Sequence, residues 1–392
     1  MNEWRQSTWG EEVTLEYGKA LRDYSDTAGG FRVFGTNGPI GWTDKPLAEG
    51  PGVILGRKGA YRGVHYSLDP FFVIDTAYYV VPKTDLEMRW LYYAIIHHRL
   101  GLIDDGSPIP STTRAAVYPR EIVVPLPDEQ RAIAGVLGAL DDKIEQNRRT
   151  ARALERLARA IFRAWFVDFE PVKAKAAGAT SFPSMPQPVF DALPIRFVDS
   201  DIGPVPEGWH AGRLGDVIEM HDSRRVPLSR REREQRKGSF RYYGAAGIVD
   251  YVDDYLFDGV FVLIGEDGTV IDDKDGPLVQ YVWGQFWVNN HAHVLTGSNG
   301  ISTEYLRVLL DHVNIRPFVT GAVQQKLNQG NLKSVPILVA DAYSSAAFND
   351  FISSLFAMVR QVHGESHVLE SIRDYLLPRL LSGSVRVKVA NA

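Results

Sequence analysis

The chain has 392 residues, 43 Lys or Arg against 48 Asp or Glu, 45% hydrophobic residues, 35 glycines, 22 prolines and no cysteine. These figures fit ordinary globular composition and suit two domains, and the missing cysteine excludes disulfides, thiolate metal sites and thiol nucleophiles. A reducing, cytoplasmic setting without a membrane is expected. The start MNEWRQSTWGEEV has no basic stretch leading into an apolar core, and no uncharged run reaches bilayer length. A net charge of −5 argues against a uniformly basic coat and leaves partner chemistry to local patches.

In chain order the sequence is one unit written twice. Residues 1–127 show short apolar runs punctuated by Gly, Pro and Asp, the pattern of strands and turns. Phe31-Arg32-Val33-Phe34-Gly35, Gly38, Val53-Ile54-Leu55 and Gly56-Arg57-Lys58-Gly59 return 209 positions later as Phe240-Arg241-Tyr242-Tyr243-Gly244, Gly247, Val262-Leu263-Ile264 and Gly265-Glu266-Asp267-Gly268. Phe71, Ala77, Leu91, Ile122 and Leu154 find counterparts at an offset of 215, and Trp4 and Gly10 at 205. One helix candidate interrupts each copy, at Glu87–Arg99 and Thr303–Val313.

From Asp128 the apolar period becomes 3.5. Ile133, Leu137, Leu140, Ile144, Asn147, Ala151, Leu154, Ala158, Ile161 and Trp165 advance by four and three in turn, the seam of a coiled coil. With Asp128 as cap and Pro171 as stop, residues 128–170 form a helix of roughly 60 Å at ~1.5 Å per residue. Asn147 reads equally as a register-setting polar seam residue or as a solvated edge. Residues 171–205 are a Pro-rich linker expected to be extended, residues 206–340 a second domain, and residues 341–392 a second helix. Its seam is Phe348, Ile352, Leu355, Val359, Val362, Ser366, Leu369, Ile372, Leu376 and Leu380, with Pro378 bending the last turn. Each seam needs a partner, and the other copy supplies it. The expected fold is α+β: two β-rich globular domains separated by two long antiparallel helices in a coiled coil, a pseudo-twofold repeat shaped like a dumbbell.

Catalytic constellations are missing from this reading. There is no G-x-x-x-x-G-K-[ST], G-x-G-x-x-G after a strand, G-x-S-x-G or H-E-x-x-H. Leu68-Asp69-Pro70-Phe71-Phe72 only loosely matches an amino-methyltransferase motif, and Asp128 with Asp141-Asp142-Lys143 reads as helix surface rather than a nuclease site. His291 and His293 share a strand face without an evident third ligand, so no metal is expected. Asp272-Asp273-Lys274-Asp275-Gly276 reads as a turn.

The remaining chemistry suits nucleic acid. Arg224, Arg225, Arg230, Arg231 and Lys237 stand in a basic arm fit for a phosphate backbone. Arg57, Lys58 and Arg62 lie in and beside a Gly-flanked turn whose counterpart carries Glu266 and Asp267. The first set suits guanine or phosphate and the second suits cytosine N4, so the two copies would read different bases. Thr112, Thr113 and Arg114 in one copy, and Gln324, Gln325, Lys326 and Asn328 in the other, precede the final strand. These types also pair with base edges.

Pro125-Leu126-Pro127-Asp128-Glu129-Gln130-Arg131-Ala132-Ile133, Leu140-Asp141-Asp142-Lys143-Ile144-Glu145-Gln146-Asn147 and Ala160-Ile161-Phe162-Arg163-Ala164-Trp165-Phe166-Val167-Asp168-Phe169 resemble the central conserved region of the DNA-specificity subunit of type I restriction-modification enzymes. Leu376-Leu377-Pro378-Arg379-Leu380-Leu381-Ser382-Gly383 is similar to that family's C-terminal conserved region. The two Gly-flanked turns, Asn289-Asn290-His291-Ala292-His293 and Gln325-Lys326-Leu327-Asn328 resemble motifs of its target-recognition domains. The resemblance implies a non-catalytic subunit that binds double-stranded DNA, two methyltransferase subunits and two restriction/translocase subunits. S-adenosylmethionine, ATP and Mg would be held by those partners and no cofactor by this chain. It also implies that each domain reads half of a bipartite asymmetric sequence while the helices set the spacing, with Arg148, Arg149, Arg152, Arg156, Arg159 and Arg163 facing DNA or partners. The rival readings are a coiled-coil protein scaffold and a self-contained methyltransferase or nuclease.

Overall fold

Most of the positions at which the two copies agree lie in strands that pair in the sheets. A computed structural model describes residues 4–26, 29–104, 106, 108–321 and 324–387. The chain divides into two compact units, residues 1–147 with 365–392, and residues 148–364.

In the first unit Val13–Tyr17, Ala77–Pro82, Gly52–Gly56 and Val64–Ser67 form a four-stranded sheet in that order, and Gly38–Thr43, Phe31–Gly35 and Phe71–Val73 a three-stranded one. Arg5–Thr8 pairs with Glu121–Val124. The strands bury β-branched and aromatic residues such as Val13, Val53, Ile54 and Tyr78, the types that pack well on a pleated surface. The second unit repeats each pairing in the same register. Arg5 faces Val124 and His210 faces Val339; Val53 faces Val80 and Val262 faces Leu295; Arg32 runs parallel to Phe71 and Arg241 to Phe286. There the strands Ile218–Met220, Ala292–Gly297, Phe257–Gly265, Val279–Val288, Lys237–Gly244 and Gly247–Val252 join in one six-stranded sheet. The difference has a local cause. Val279–Val288 is continuous, whereas its counterpart is interrupted at Leu68-Asp69-Pro70, where proline lacks the N–H a central ladder needs. Helices Met88–His97, capped by Glu87, and Thr303–Leu309, capped by Ser302, pack on the sheets within their expected spans.

The first long helix runs Pro127–Phe162 and the second Ala342–Leu381, and the division between the units falls inside both. Within the first unit they are antiparallel. Glu129 Oε1 accepts from Arg386 Nε at 2.5 Å, Asp141 Oδ1 from Arg373 Nη1 at 2.9 Å, and Glu365 Oε2 from Asn147 Nδ2 at 2.9 Å, so partners fall in number as the first helix climbs. Asn147 is thus a buried seam residue with a specific partner rather than a solvated edge. Ile133, Leu137, Leu380 and Leu381 join the domain core around Trp9, Trp90 and Tyr93. In the second unit Ile161, Phe162, Trp165 and Phe166 pack with Phe348 and Ile352 on Tyr305 and Leu306. In each copy the opening tryptophan donates its indole N–H to an acid at the start of a long helix, Trp4 to Glu129 and Trp209 to Asp341, both at 2.8 Å.

The fold class is the expected α+β, with two sheet-rich domains and long helices, and four local expectations change. Pro127, not Asp128, opens the first helix, because proline lacks only an N–H that a first turn leaves unpaired anyway. The helix loosens into a π turn at Arg163–Val167, and Pro171 starts a further helix, Glu170–Ala176, instead of stopping the long one. The Pro-rich linker is not simply extended. Gln187–Ala192 is also helical, with a proline in its first turn, and Val172, Phe190 and Leu193 bury against the second unit's core. Along the second seam Phe348, Ile352, Leu355, Val359, Ser366 and Leu380 are buried and Leu369 and Leu376 half-buried, as are Leu140 and Leu154 of the first. Ile372 is exposed, because Arg373 beside it takes the inner place through its ion pair with Asp141.

Candidate nucleic-acid interface

Three segments meet at one end of each domain, joined by the same backbone hydrogen bonds. In the first, Arg57 N donates to Thr76 O at 3.0 Å, Thr112 N to Arg57 O at 2.9 Å, and Lys58 bridges to Ser111. In the second, Glu266 N donates to His291 O at 2.8 Å, Leu327 N to Glu266 O at 2.9 Å, and Asp267 pairs with Lys326. Every one of these residues maps onto its counterpart by the offsets of the repeat. The turns rely on Gly59 at φ +106° and Gly268 at φ +87°, a region that side-chain-bearing residues rarely adopt. The Gly-flanked turn, the segment after the central strand and the loop before the last strand, read separately in the sequence, therefore form one surface per domain.

Beneath each surface the same four positions carry opposite chemistry. In the first unit they are Tyr17, Arg57, Tyr78 and Arg114. The Arg57 guanidinium lies 5.0 Å from the Tyr17 ring centre and 5.8 Å from that of Tyr78, and Arg114 lies 4.5 Å from Tyr17. Arg57 Nη2 donates to Asp75 O and its buried Nε has no partner. Burial and a hydrogen bond with Tyr17 push the Tyr78 hydroxyl up to about 12. In the second unit the positions hold Asp222, Glu266, His293 and Gln329. His293 Nδ1 meets Asp222 Oδ2 and its Nε2 meets Leu327 O, each at 2.6 Å, while Gln329 Nε2 donates to Asp222 at 2.7 Å. Burial alone would raise the Asp222 carboxyl, but His293, the Val294 N–H and Arg225 outweigh it and hold it below the usual carboxylate range. Asp222, Glu266 and His293 bring ligand-type atoms within 4.8 Å of one another. Arg225 is the cation among them, 2.7 Å from Glu266 and 3.4 Å from Asp222.

Several residues expected at the DNA surface are turned inward. Arg62 is 9% exposed and donates to the carbonyls of Gly59, Gly101 and Ile103. Thr112 is buried, its hydroxyl shared between Leu100 O and Ile103 O. His293 is fully buried, and Arg225 keeps only 11% of its side chain exposed. All four hold loops together, because a buried polar group needs partners and loop carbonyls supply them. Thr113 and Asn328 cap short helices, and Arg114 donates to Leu15 O. Glu266 is engaged by Arg225 and Asp267 by His291 at 2.6 Å.

The basic arm is ordered and largely paired. Ser229 caps a helix at Arg230–Gln235, Arg230 pairs with Glu234, and Lys237 and Arg233 both grip Asp250, whose carboxyl they hold at about 2 together with the Tyr251 N–H. Arg224 donates to Leu256 O and lies over Phe257. Facing outward are Lys58, Arg224, Arg230, Arg231, Lys237, His291, Gln324, Lys326 and Asn328, with Gln325 half-exposed. The reading by motif missed Tyr17, Tyr78, Asp222 and Gln329. Applying the repeat offsets to Arg57, Arg114, Glu266 and His293 was the signal that finds them.

Residues 206–344 match the family model of the type I restriction modification DNA specificity domain. The chain is 26% identical over 331 residues to the type I restriction enzyme MjaIX specificity subunit of Methanocaldococcus jannaschii, spanning 79% of this chain and 72% of that one. To the type I restriction enzyme HindI specificity subunit of Haemophilus influenzae it is 22% identical over 397 residues, 84% of each. In fold it resembles the crystal structure of a type I restriction-modification S subunit from M. genitalium, with a TM-score of 0.63 at 17% identity over 96% of both chains. Residues 206–344 thus match the type I DNA specificity domain, and over most of its length the chain is similar to the specificity subunits of type I restriction-modification systems.

Proposed function

We propose that each sheet-rich domain reads one half of a bipartite, asymmetric DNA sequence through its loop surface. The long helices set the distance between the halves and dock two methyltransferase and two restriction/translocase subunits. Catalysis, with S-adenosylmethionine, ATP and Mg, lies in those partners, and this chain binds no cofactor of its own. The observation that carries the reading is the identical backbone frame filled with unlike side chains. Arg57 and Lys58 stand where Glu266 and Asp267 stand, so two similar readers meet unlike halves. Lys58, Arg231 and Lys326 offer charge to phosphates, and Gln324 and Gln325 offer amides to adenine edges. For protein partners, Val368, Ile372 and Tyr375 leave an apolar stripe uncovered on the second helix.

The test is a domain exchange. With its host methyltransferase subunits, the chain directs adenine modification that genome sequencing maps to single bases. Replacing residues 1–127 by another recognition domain should change one half of the mapped site and leave the other half intact. A change in both halves, or in neither, refutes independent reading.

A further inference from the structure

Resting on that half-site reading, we propose that Tyr61 is an apolar wedge that enters the base stack of the half-site bound by the first domain. Its ring would slide between neighbouring bases where the Gly59 turn meets the duplex.

The repeat exposes the anomaly. Tyr61 and Arg62 fall between the stretch that repeats at an offset of 209 and the one that repeats at 215, and Arg62 Cα lies against Gly56 as Val270 Cα lies against Gly265. In the second unit the turn folds its apolar residue inward, and Val270 is fully buried. In the first unit Arg62 takes the inside place, tied to three loop carbonyls, and Tyr61 is turned out. Tyr61 is 78% exposed, the largest value among the exposed large hydrophobic residues described. A single exposed apolar residue needs no explanation, but this one has company. Ile109 is 62% exposed next to Pro110, whose carbonyl accepts from Gly59 N at 3.0 Å, and Leu102 is 68% exposed between Gly101 and Ile103, the two residues that Arg62 holds. One buried guanidinium therefore braces both the turn that carries Tyr61 and the turn that carries Leu102.

The surroundings specify the occupant. Lys58 is exposed three positions before Tyr61, and Gly59 leaves open space where a Cβ would stand, so a phosphate backbone can come close to the turn. A protein partner would be expected to cover the apolar residues with more of the same, whereas a cationic, glycine-opened rim around a projecting ring suits nucleic acid. Apolar side chains inserted at base steps unstack them, and the aromatic face recovers the stacking. Arg62 is here a positioning residue, and the contact belongs to Tyr61.

The experiment uses the chain assembled with its host methyltransferase subunits and a duplex carrying the mapped site, with 2-aminopurine placed at each position of the first half in turn. The wild-type complex should raise the fluorescence at one step, because unstacking relieves quenching. Tyr61→Ala should abolish that rise and weaken binding by about tenfold, the scale of one lost base–aromatic stack. It should leave the salt dependence of binding unchanged, since no phosphate contact is lost. Tyr61→Phe should behave as wild type. The side chain is mostly in solvent, so neither variant disturbs the core. If the wild-type complex selects its site but brightens no position, or if Tyr61→Ala binds and unstacks as wild type does, the wedge is wrong and the half-site reading stands. If the wild-type complex shows no preference for the mapped first half, the reading beneath the wedge fails and the wedge fails with it.

Discussion

Lengthening both long helices by one heptad tests the proposed spacing role. Asn147 and Glu365 face each other at 2.9 Å. Repeating Asp141–Asn147 after Asn147, and Glu365–Ser371 before Glu365, therefore enters both helices at one level and keeps every contact within residues 1–147 and 365–392. One heptad adds about 10 Å at ~1.5 Å per residue and keeps the seam in phase, because the seam itself repeats every ~3.5 residues. At ~3.4 Å per base pair that is about three base pairs, which also rotates the far half by about 100° at ~10.5 base pairs per turn. Torsion in the DNA or the domains must absorb the rotation, so affinity falls while the unread spacer lengthens. Sequencing modified adenines in cells that express the lengthened chain reads the spacer directly. Methylation that persists at sites with the original spacer would refute the ruler.

Two further outcomes concern the buried networks. Arg225→Met leaves Asp222 and Glu266 without the cation between them, and an uncompensated buried charge costs on the order of 3 kcal/mol. Hydrogen exchange should then speed up at the Val294 and Leu327 amides while the first unit keeps its protection, and unchanged protection at both amides would contradict the role given to Arg225. In the first unit burial would raise the Glu12 carboxyl, but hydrogen bonds from Arg5, Ser7 and Thr84 win and hold it at about 2. Its folded value lies below the ordinary ~4.3, so its contribution to stability is complete above that value and is lost as the pH falls toward 2. Glu12→Gln should therefore destabilise the chain at neutral pH and flatten its acid-unfolding profile over that window. Parallel profiles would show that Glu12 gains nothing from its partners.

Much of the architecture was legible because it is written twice. The doubling of the domain, the two helix candidates and both seams follow from offsets and from period 3.5, since packing in a seam constrains every third and fourth residue. What escaped depends on which of two neighbouring side chains turns inward. Arg62 and Thr112 have the letters of DNA contacts, yet the loop carbonyls of Gly59, Gly101 and Ile103 draw them in. The basic arm looked free because the acids that bind it, Asp250 in the next strand and Asp253 just beyond its end, do not belong to the arm. The linker prolines signalled extension, but Pro171 and Pro188 occupy first helical turns, and what decides their conformation is the burial of Val172 and Phe190 against residues far away in the sequence.

The two loop surfaces show how one backbone frame carries unlike side chains. Backbone hydrogen bonds join Arg57 to Thr76 and Thr112, and Glu266 to His291 and Leu327, so the frame makes no demand on which side chains stand there. The four positions beneath it, joined by Arg225 in the second copy, must satisfy one another. Two guanidinium groups over two phenol rings do so in one copy, and two carboxylates around an imidazole and Arg225 do so in the other. A mixture of the sets would fail. Glu266 beside Tyr17 and Tyr78 would be a buried acid without its cation, and Arg57 beside His293 and Arg225 would crowd positive charge. On the proposed half-site reading, a change of specificity at these turns requires the supporting positions to change together, which would make the whole domain, rather than the single residue, the unit in which specificity is exchanged.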